Sequence, residues 1–124
     1  MNLESKTFGE LIFLKPLSQN IDATASSEFK GRIIDLINQG YIFFLLNLSQ
    51  VEFVDSSGLG ALISILKTLK INNGDIVLCE LTNPVKNLFN LTRMNSVFTI
   101  CPSEKEGLES LIETKKSINA KRAL

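Results

Sequence analysis

Two neighbouring serines, Ser56 and Ser57, are the residues of this chain whose position best suits chemistry. They lie in segment 55–60 (DSSGLG), after a short apolar stretch and before a helical pattern. A helix N-terminus carries unpaired amide groups and a partial positive charge, which together tolerate an anion. Phosphorylation of a serine there would add about 1.5 to 2 negative charges at neutral pH. A surface that binds a partner when neutral would then be switched off without unfolding the domain.

The same residues also have a purely structural interpretation. Asp55 or Ser56 before a helix is often only an N-cap. Gly58 and Gly60 would then simply permit a tight turn and close packing of a helix on a strand. Local chemistry leaves both interpretations open.

Enzymatic interpretations of the segment lack the residues that they need. The chain contains no histidine, which excludes Ser-His-Asp and Cys-His arrangements and histidine-based zinc sites. Ile63 stands where a dinucleotide-binding loop has its third glycine, and no Gly-Lys-Ser/Thr sequence follows. Val54 and Asp55 occupy the first glycine position of a Gly-x-Ser-x-Gly elbow around Ser56 and Ser57 respectively. We therefore predict a protein that is not an enzyme, with no cofactor and no metal.

The composition narrows the class of protein further. The 124 residues fit one domain with a core of its own, and 13 basic residues balance 13 acidic ones, so the basic patch of a nucleic-acid-binding protein is missing. The longest apolar run, 41–46, is too short to cross a membrane. The first ten residues do not resemble a signal peptide, so a cytoplasmic protein is expected. Cys79 and Cys101 lack metal-ligand spacing and are predicted to be buried free thiols.

Strand and helix patterns alternate along the chain. Strands are predicted at 8–14, ended by Pro16, and at 41–48, 76–81 and 97–100, with the second of them at the centre of the sheet. A short edge strand is expected before Phe8. Helices are predicted from a cap at Ser26 or Ser27 to Gly40, from the serine motif to the turn at 72–74, from Pro84 to about residue 92, and from a Ser103–Glu106 capping box to about Lys115. The last helix is expected to bury Leu108, Leu111 and Ile112. This alternation predicts an α/β sheet with parallel neighbours.

Residues 53–62 (FVDSSGLGAL) resemble the signature of STAS domains, the family named for sulphate transporters and anti-sigma-factor antagonists. The similarity continues through Asn47–Leu48–Ser49 before the motif and through the strands and helices that follow it. The resemblance implies a single α/β domain over residues 1–115, followed by a frayed tail at 116–124. It also implies a four- to five-stranded mixed sheet with about four helices packed mainly to one side.

The resemblance further implies a function. Antagonists of this family bind an anti-sigma factor when unphosphorylated and so release the sigma factor. The anti-sigma factor is also a serine kinase that ends the interaction, and a serine phosphatase restores it. The modified serine corresponds to Ser57. Partner binding is expected from the residues of the motif and from the preceding loop, which would flank it: Asp22, Asp55, Ser56, Ser57, Gly58, Leu59 and Gly60.

Two other functions fit the same resemblance. A similar domain can serve as a non-switching adaptor subunit of a lipid transporter or a stress-signalling complex, with Ser57 as a helix cap only. Nucleotide binding is a third hypothesis, although the chain shows no phosphate loop. One departure from the family is Asn47, where many members have an acidic residue.

Overall fold

The computed structural model describes residues 1–123. Within them lie seven strands, four α-helices and one short 3-10 helix (Met94–Ser96). The strands are β1 (Leu3–Phe8), β2 (Leu11–Pro16), β3 (Asn20–Ile21), β4 (Phe43–Asn47), β5 (Phe53–Val54), β6 (Asp75–Cys79) and β7 (Thr99–Cys101). The helices are α1 (Ala23–Asn38), α2 (Ser56–Ile71), α3 (Asn83–Leu91) and α4 (Glu104–Ala123).

The main sheet has five strands in the order β1-β2-β4-β6-β7. β1 runs antiparallel to β2, and every other neighbouring pair is parallel. The central strand is β4, as predicted, and all five of its residues are buried. β3 and β5 form a separate two-residue parallel ladder that leads into α1 and α2.

The sheet is covered on both faces, because successive strand residues point to opposite sides. Ile12, Leu14 and their equivalents on β4 and β6 pack with apolar residues of α1, α2 and α3 in the larger core. Leu11, Phe13 and their equivalents form a smaller core with Leu111 of α4. Three helices on one face and one on the other confirm the predicted mixed sheet with helices mainly to one side.

Two predictions for the N-terminal half are corrected by the structure. The predicted strand 8–14 contains the end of β1, a tight turn at Gly9 and Glu10, and the first residues of β2. Gly9 has a φ of 60°, as the first position of a type II′ hairpin requires. α1 begins at Ala23, earlier than predicted. Its cap is Asp22, whose Oδ1 accepts from the Ala25 amide at 3.0 Å. Ser26 is instead buried inside the helix and donates to the Ala23 carbonyl.

The C-terminal half differs mainly in α4. The helix continues to Ala123, so the predicted end near Lys115 is too early; Ile118 packs against the smaller core, and Lys115 pairs with Glu10. That ion pair lowers the pKa of the Glu10 carboxyl. Ile112 is exposed, contrary to prediction, whereas Leu111 is fully buried. Fraying of the tail 116–124 and the domain limit at 115 stay predictions, and residue 124 lies outside the described residues.

The two cysteines lie opposite each other on the neighbouring strands β6 and β7. Both are free thiols. Burial, followed by the nearby Glu80 and Glu104 carboxylates, raises the pKa of the Cys79 thiol to about 12, so it stays protonated and unreactive near neutrality. Cys101 is half-buried, so the prediction of full burial holds for Cys79 alone.

Asn47, at the end of β4, is a buried link between the sheet and α4. Its amide donates to Glu104 Oε1 at 2.5 Å, and its carbonyl oxygen accepts from the Ser49 amide at 2.8 Å. Glu104 also donates its backbone N–H to the Glu80 carboxylate. An acidic residue at position 47 would face the Glu104 carboxylate without a donor between them. The neutral asparagine amide therefore suits the Glu104 carboxylate, because it donates a hydrogen bond to it.

Gly58 lies where the first turn of α2 meets β3 and β5. A β-carbon at this position would come within 2.7 Å of both the Ile21 carbonyl oxygen and Val54 Cγ1. A β-carbon at Gly60, two residues further along the helix, would have no neighbour within 4 Å. Gly58 is therefore required by packing, whereas Gly60 is not.

We predict that Gly58→Ala lowers the free energy of unfolding by about 1–3 kcal/mol, because the backbone must shift to relieve the overlap. Gly60→Ala is the matched control and should be neutral or raise stability by up to about 1 kcal/mol, since alanine favours the helix. Urea denaturation of both variants measures the difference. Equal effects of the two substitutions would contradict the packing described here.

We further predict that Asn47→Asp destabilises the fold by about 1–3 kcal/mol at neutral pH, because two carboxylates replace a hydrogen bond. The loss should shrink as the pH falls and one carboxyl takes up a proton. The double variant Asn47→Asp/Glu104→Gln restores a donor and should recover most of the stability. A pH series of denaturation curves tests this, and a loss independent of pH would count against the assigned contact.

Candidate functional site

The serine motif forms the junction between β5 and the first turn of α2. Asp55 is the N-cap of the helix, and its Oδ1 accepts from the Gly58 amide at 2.9 Å. Ser56 and Ser57 are the first two residues of the helix. Of the two capping residues that the sequence left open, Asp55 and Ser56, the structure has Asp55.

A second junction of the same kind lies beside the first. Ile21 of β3 pairs with Val54 of β5 in a parallel ladder, so the caps Asp22 and Asp55 follow paired residues. The Asp55 amide donates to the Ile21 carbonyl at 3.3 Å, and α1 packs against α2. The structure therefore brings Asp22 to the motif, as expected for the loop that flanks it. Two helix N-termini, each with an aspartate cap, open onto one surface.

Both serines are exposed on this surface. The hydrogen bonds found within residues 1–123 include none from the Ser56 or Ser57 hydroxyl. Because Asp55 already satisfies the Gly58 amide, Ser57 is not needed to cap α2. Its exposed side chain can change without loss of a contact that holds the helix.

The three remaining motif residues have different environments. Gly58 is buried against Ile21, so it affects a partner only by keeping α2 close to β3. Leu59 is partly buried against the larger core. Gly60 is exposed with open space around it. Of these three, only Leu59 and Gly60 present atoms to a partner.

Phe53 is a feature of the surface that the sequence did not single out. It lies on β5 next to the motif, paired with Asn20 of β3, and is 54% exposed. The apolar stretch before Asp55 does not reveal that Phe53 points outward, because a two-residue strand gives no alternation from which to infer the direction of a side chain. An exposed aromatic residue beside a polar motif is typical of a protein-binding surface.

The electrostatics of the surface are neutral to acidic. Segments 16–29 and 53–66, which contain both junctions, include no lysine or arginine but do include Asp22, Glu28 and Asp55. A phosphate on Ser57 would therefore gain the helix N-terminus as a favourable partner but no cationic side chain from these segments. Its charge would be displayed to an incoming protein.

Other classes of site are not seen in the part of the chain that the structure describes. Residues 1–123 contain no group of three or more cysteine, aspartate or glutamate residues arranged to hold a metal ion. None of the helices in that range combines the length and apolar character of a membrane span.

Comparison with known proteins gives a consistent match. The STAS domain model matches residues 6–107. An anti-sigma-B factor antagonist of Staphylococcus epidermidis is 22% identical over 100 residues, covering 81% of this chain and 92% of that protein. An anti-sigma F factor antagonist of Paenibacillus polymyxa is 28% identical over 67 residues, 54% of this chain and 57% of that protein.

Solved structures agree. A Thermotoga maritima protein assigned as an anti-sigma factor antagonist superposes with a TM-score of 0.81 at 28% identity, covering 88% of this chain and 93% of that one. SpoIIAA in its unphosphorylated form, at 18% identity, shares the fold with a TM-score of 0.69 over 90% of this chain and 98% of its own. With its motif at the start of α2, its sheet order and the match over residues 6–107, this chain belongs to the STAS domain family.

Proposed function

We propose that this chain is an anti-sigma-factor antagonist controlled by phosphorylation of Ser57. Its unphosphorylated form binds an anti-sigma factor that is also a serine kinase, which releases the sigma factor. Phosphate on Ser57 ends binding, and a serine phosphatase restores it. The observation that carries the proposal is that Ser57 is exposed in the first turn of α2 while Asp55 alone supplies the helix cap.

The geometry suits a switch that leaves the fold intact. Phosphate at the second residue of α2 meets the positive end of the helix, so the modified domain remains stable. The Gly58–Ile21 packing and the Asp55 cap lie beneath the serine and need no rearrangement. The change is therefore confined to the charge and size of the docking surface.

The size of the effect follows from electrostatics at an interface. Two added negative charges beside Asp22 and Asp55 must be desolvated when a partner docks, and an unpaired charge in an interface typically costs a few kcal/mol. We expect an affinity loss of about 30-fold or more. Asp22, Asp55, Ser56, Leu59 and Gly60 contact the partner in this proposal, and Gly58 acts through packing.

The relatives support the same assignment. Several carry the name of anti-sigma factor antagonist. Structures of SpoIIAA are known in both phosphorylated and unphosphorylated forms. By analogy we propose that this chain binds a partner in the cytoplasm and catalyses no reaction itself.

The adaptor hypothesis predicts a different role for Ser57. A non-switching subunit of a transporter or stress-signalling complex would use Ser57 as a helix cap only. In the structure the cap is Asp55. The helix therefore does not need a serine at position 57. The adaptor remains the second candidate, and the capture experiment below separates the two.

We predict that a Ser57→Ala bait retains an anti-sigma factor with kinase character from a lysate of the source organism and that a Ser57→Asp bait loses it. Ser117→Asp, an exposed serine on α4, adds the same charge on the opposite face of the sheet and should retain the partner. Mass spectrometry identifies the retained proteins. Retention of the same transporter or scaffold proteins by all three baits would support the adaptor.

We also predict that the captured kinase phosphorylates the wild-type chain and the Ser56→Ala variant to the same extent, but not the Ser57→Ala variant. The two serines are adjacent and both exposed, so each substitution controls for the other. Phosphopeptide mapping reads out the site. Phosphate on Ser56 alone would move the switch by one residue and refute the assignment to Ser57.

A further inference from the structure

β1 ends the five-stranded sheet and leaves one row of backbone groups unpaired by the rest of the sheet. The Leu17 amide donates to the Asn2 carbonyl at 2.9 Å, so Asn2 faces β2. Hydrogen-bonded and non-hydrogen-bonded pairs alternate in an antiparallel ladder. Glu4, Lys6 and Phe8 therefore also bond to β2, and the outward N–H and C=O groups are those of Leu3, Ser5 and Thr7.

The side chains of this edge carry opposite charges two residues apart. Glu4 and Lys6 lie on one face of β1, with side chains 41% and 61% exposed. Their own N···O separation is 3.9 Å, at the outer limit of an ion pair. Both side chains are therefore available for stronger partners across a strand added at this edge.

We propose that a second copy of this chain pairs with β1 in antiparallel register about Ser5. In this arrangement Ser5 of one copy faces Ser5 of the other, and Leu3 faces Thr7. The outward N–H and C=O groups of these residues then bond between copies. Glu4 of each copy lies directly opposite Lys6 of the second copy, so the two-fold axis produces two equivalent ion pairs.

Charge selects this register over its neighbours. Because only the outward groups can bond between copies, the adjacent registers are centred on Glu4 or on Lys6. The first places Glu4 opposite Glu4, and the second places Lys6 opposite Lys6. Like charges directly opposite each other destabilise a strand pair. The Ser5-centred register therefore lies between two registers with like charges opposite each other. Repulsion in those two registers favours the Ser5-centred pairing.

The apolar part of the edge fits the same arrangement. Phe8, at the end of β1, is 55% exposed, and it lines a groove of about 520 Å³ together with Glu4, Lys6 and Phe13. In the proposed register Phe8 lies opposite Asn2 of the second copy, and the added strand shields its outer side. The interface uses none of the motif residues 55–60. Ser56 and Ser57 of both copies therefore lie outside the paired edge.

The test is sedimentation equilibrium of the full chain over a concentration series, with charge-reversal variants. The wild type should form a dimer that dissociates on dilution. Glu4→Lys alone and Lys6→Glu alone should each raise the dissociation constant about tenfold or more, because both ion pairs become repulsive. An equimolar mixture of these two variants should dimerise again, since each lysine then faces a glutamate.

Ser5→Pro provides a second, independent measurement. Proline removes an N–H that points away from β2, so the variant should lose the dimer but keep the melting temperature that the wild type has at a dilution where it is monomeric. A wild type that stays monomeric at every concentration would overturn the proposal. A dimer that survives both charge reversal and Ser5→Pro would place the interface elsewhere and overturn it as well. Neither result bears on the function proposed for Ser57.

Discussion

The first turn of α2 approaches β3 so closely that no β-carbon fits between them, and the rest of the motif depends on this contact. Gly58 fills the gap between Ile21 and Val54. With the helix held there, Asp55 reaches the Gly58 amide and closes the N-terminus. The two serines between the cap and the glycine are left outside the packing. Exposure of Ser57 is thus a consequence of how the helix is anchored.

The same contact separates the proposed phosphorylation site, Ser57, from the interactions that stabilise the domain. The larger core lies beneath α1, α2 and α3, and the smaller core lies beneath α4 on the other face. Neither core includes the side chain of Ser56 or Ser57. A change of charge at Ser57 therefore alters what a partner meets, while the sheet, both cores and the cap stay as they are. Such a surface can change affinity strongly at little cost in folding free energy.

The sequence was most informative where a pattern was long or its residues were specific. The buried run of β4, the long helix α2, the turn at 72–74 and Pro84 at the start of α3 were all predicted, whereas the choice between Asp55 and Ser56 as the cap of α2 was left open. The turn at Gly9 and Glu10 was missed because apolar residues flank it on both sides. The cap at Asp22 was missed because Ser26 and Ser27 nearby are equally suitable capping residues. β3 and β5 are two residues long and show no periodicity. Only their pairing in three dimensions brings Asp22 to the serine motif.

The central claim is most directly tested by the affinity of the purified anti-sigma factor for two forms of this chain that differ only in a phosphoserine incorporated at position 57. Titration calorimetry should give tight binding of the unmodified form. The phosphorylated form should bind about 30-fold or more weakly, with its melting temperature unchanged. Equal affinities would show that Ser57 is not a switch. Weaker binding accompanied by partial unfolding would show that the phosphate acts on the fold and not on the surface.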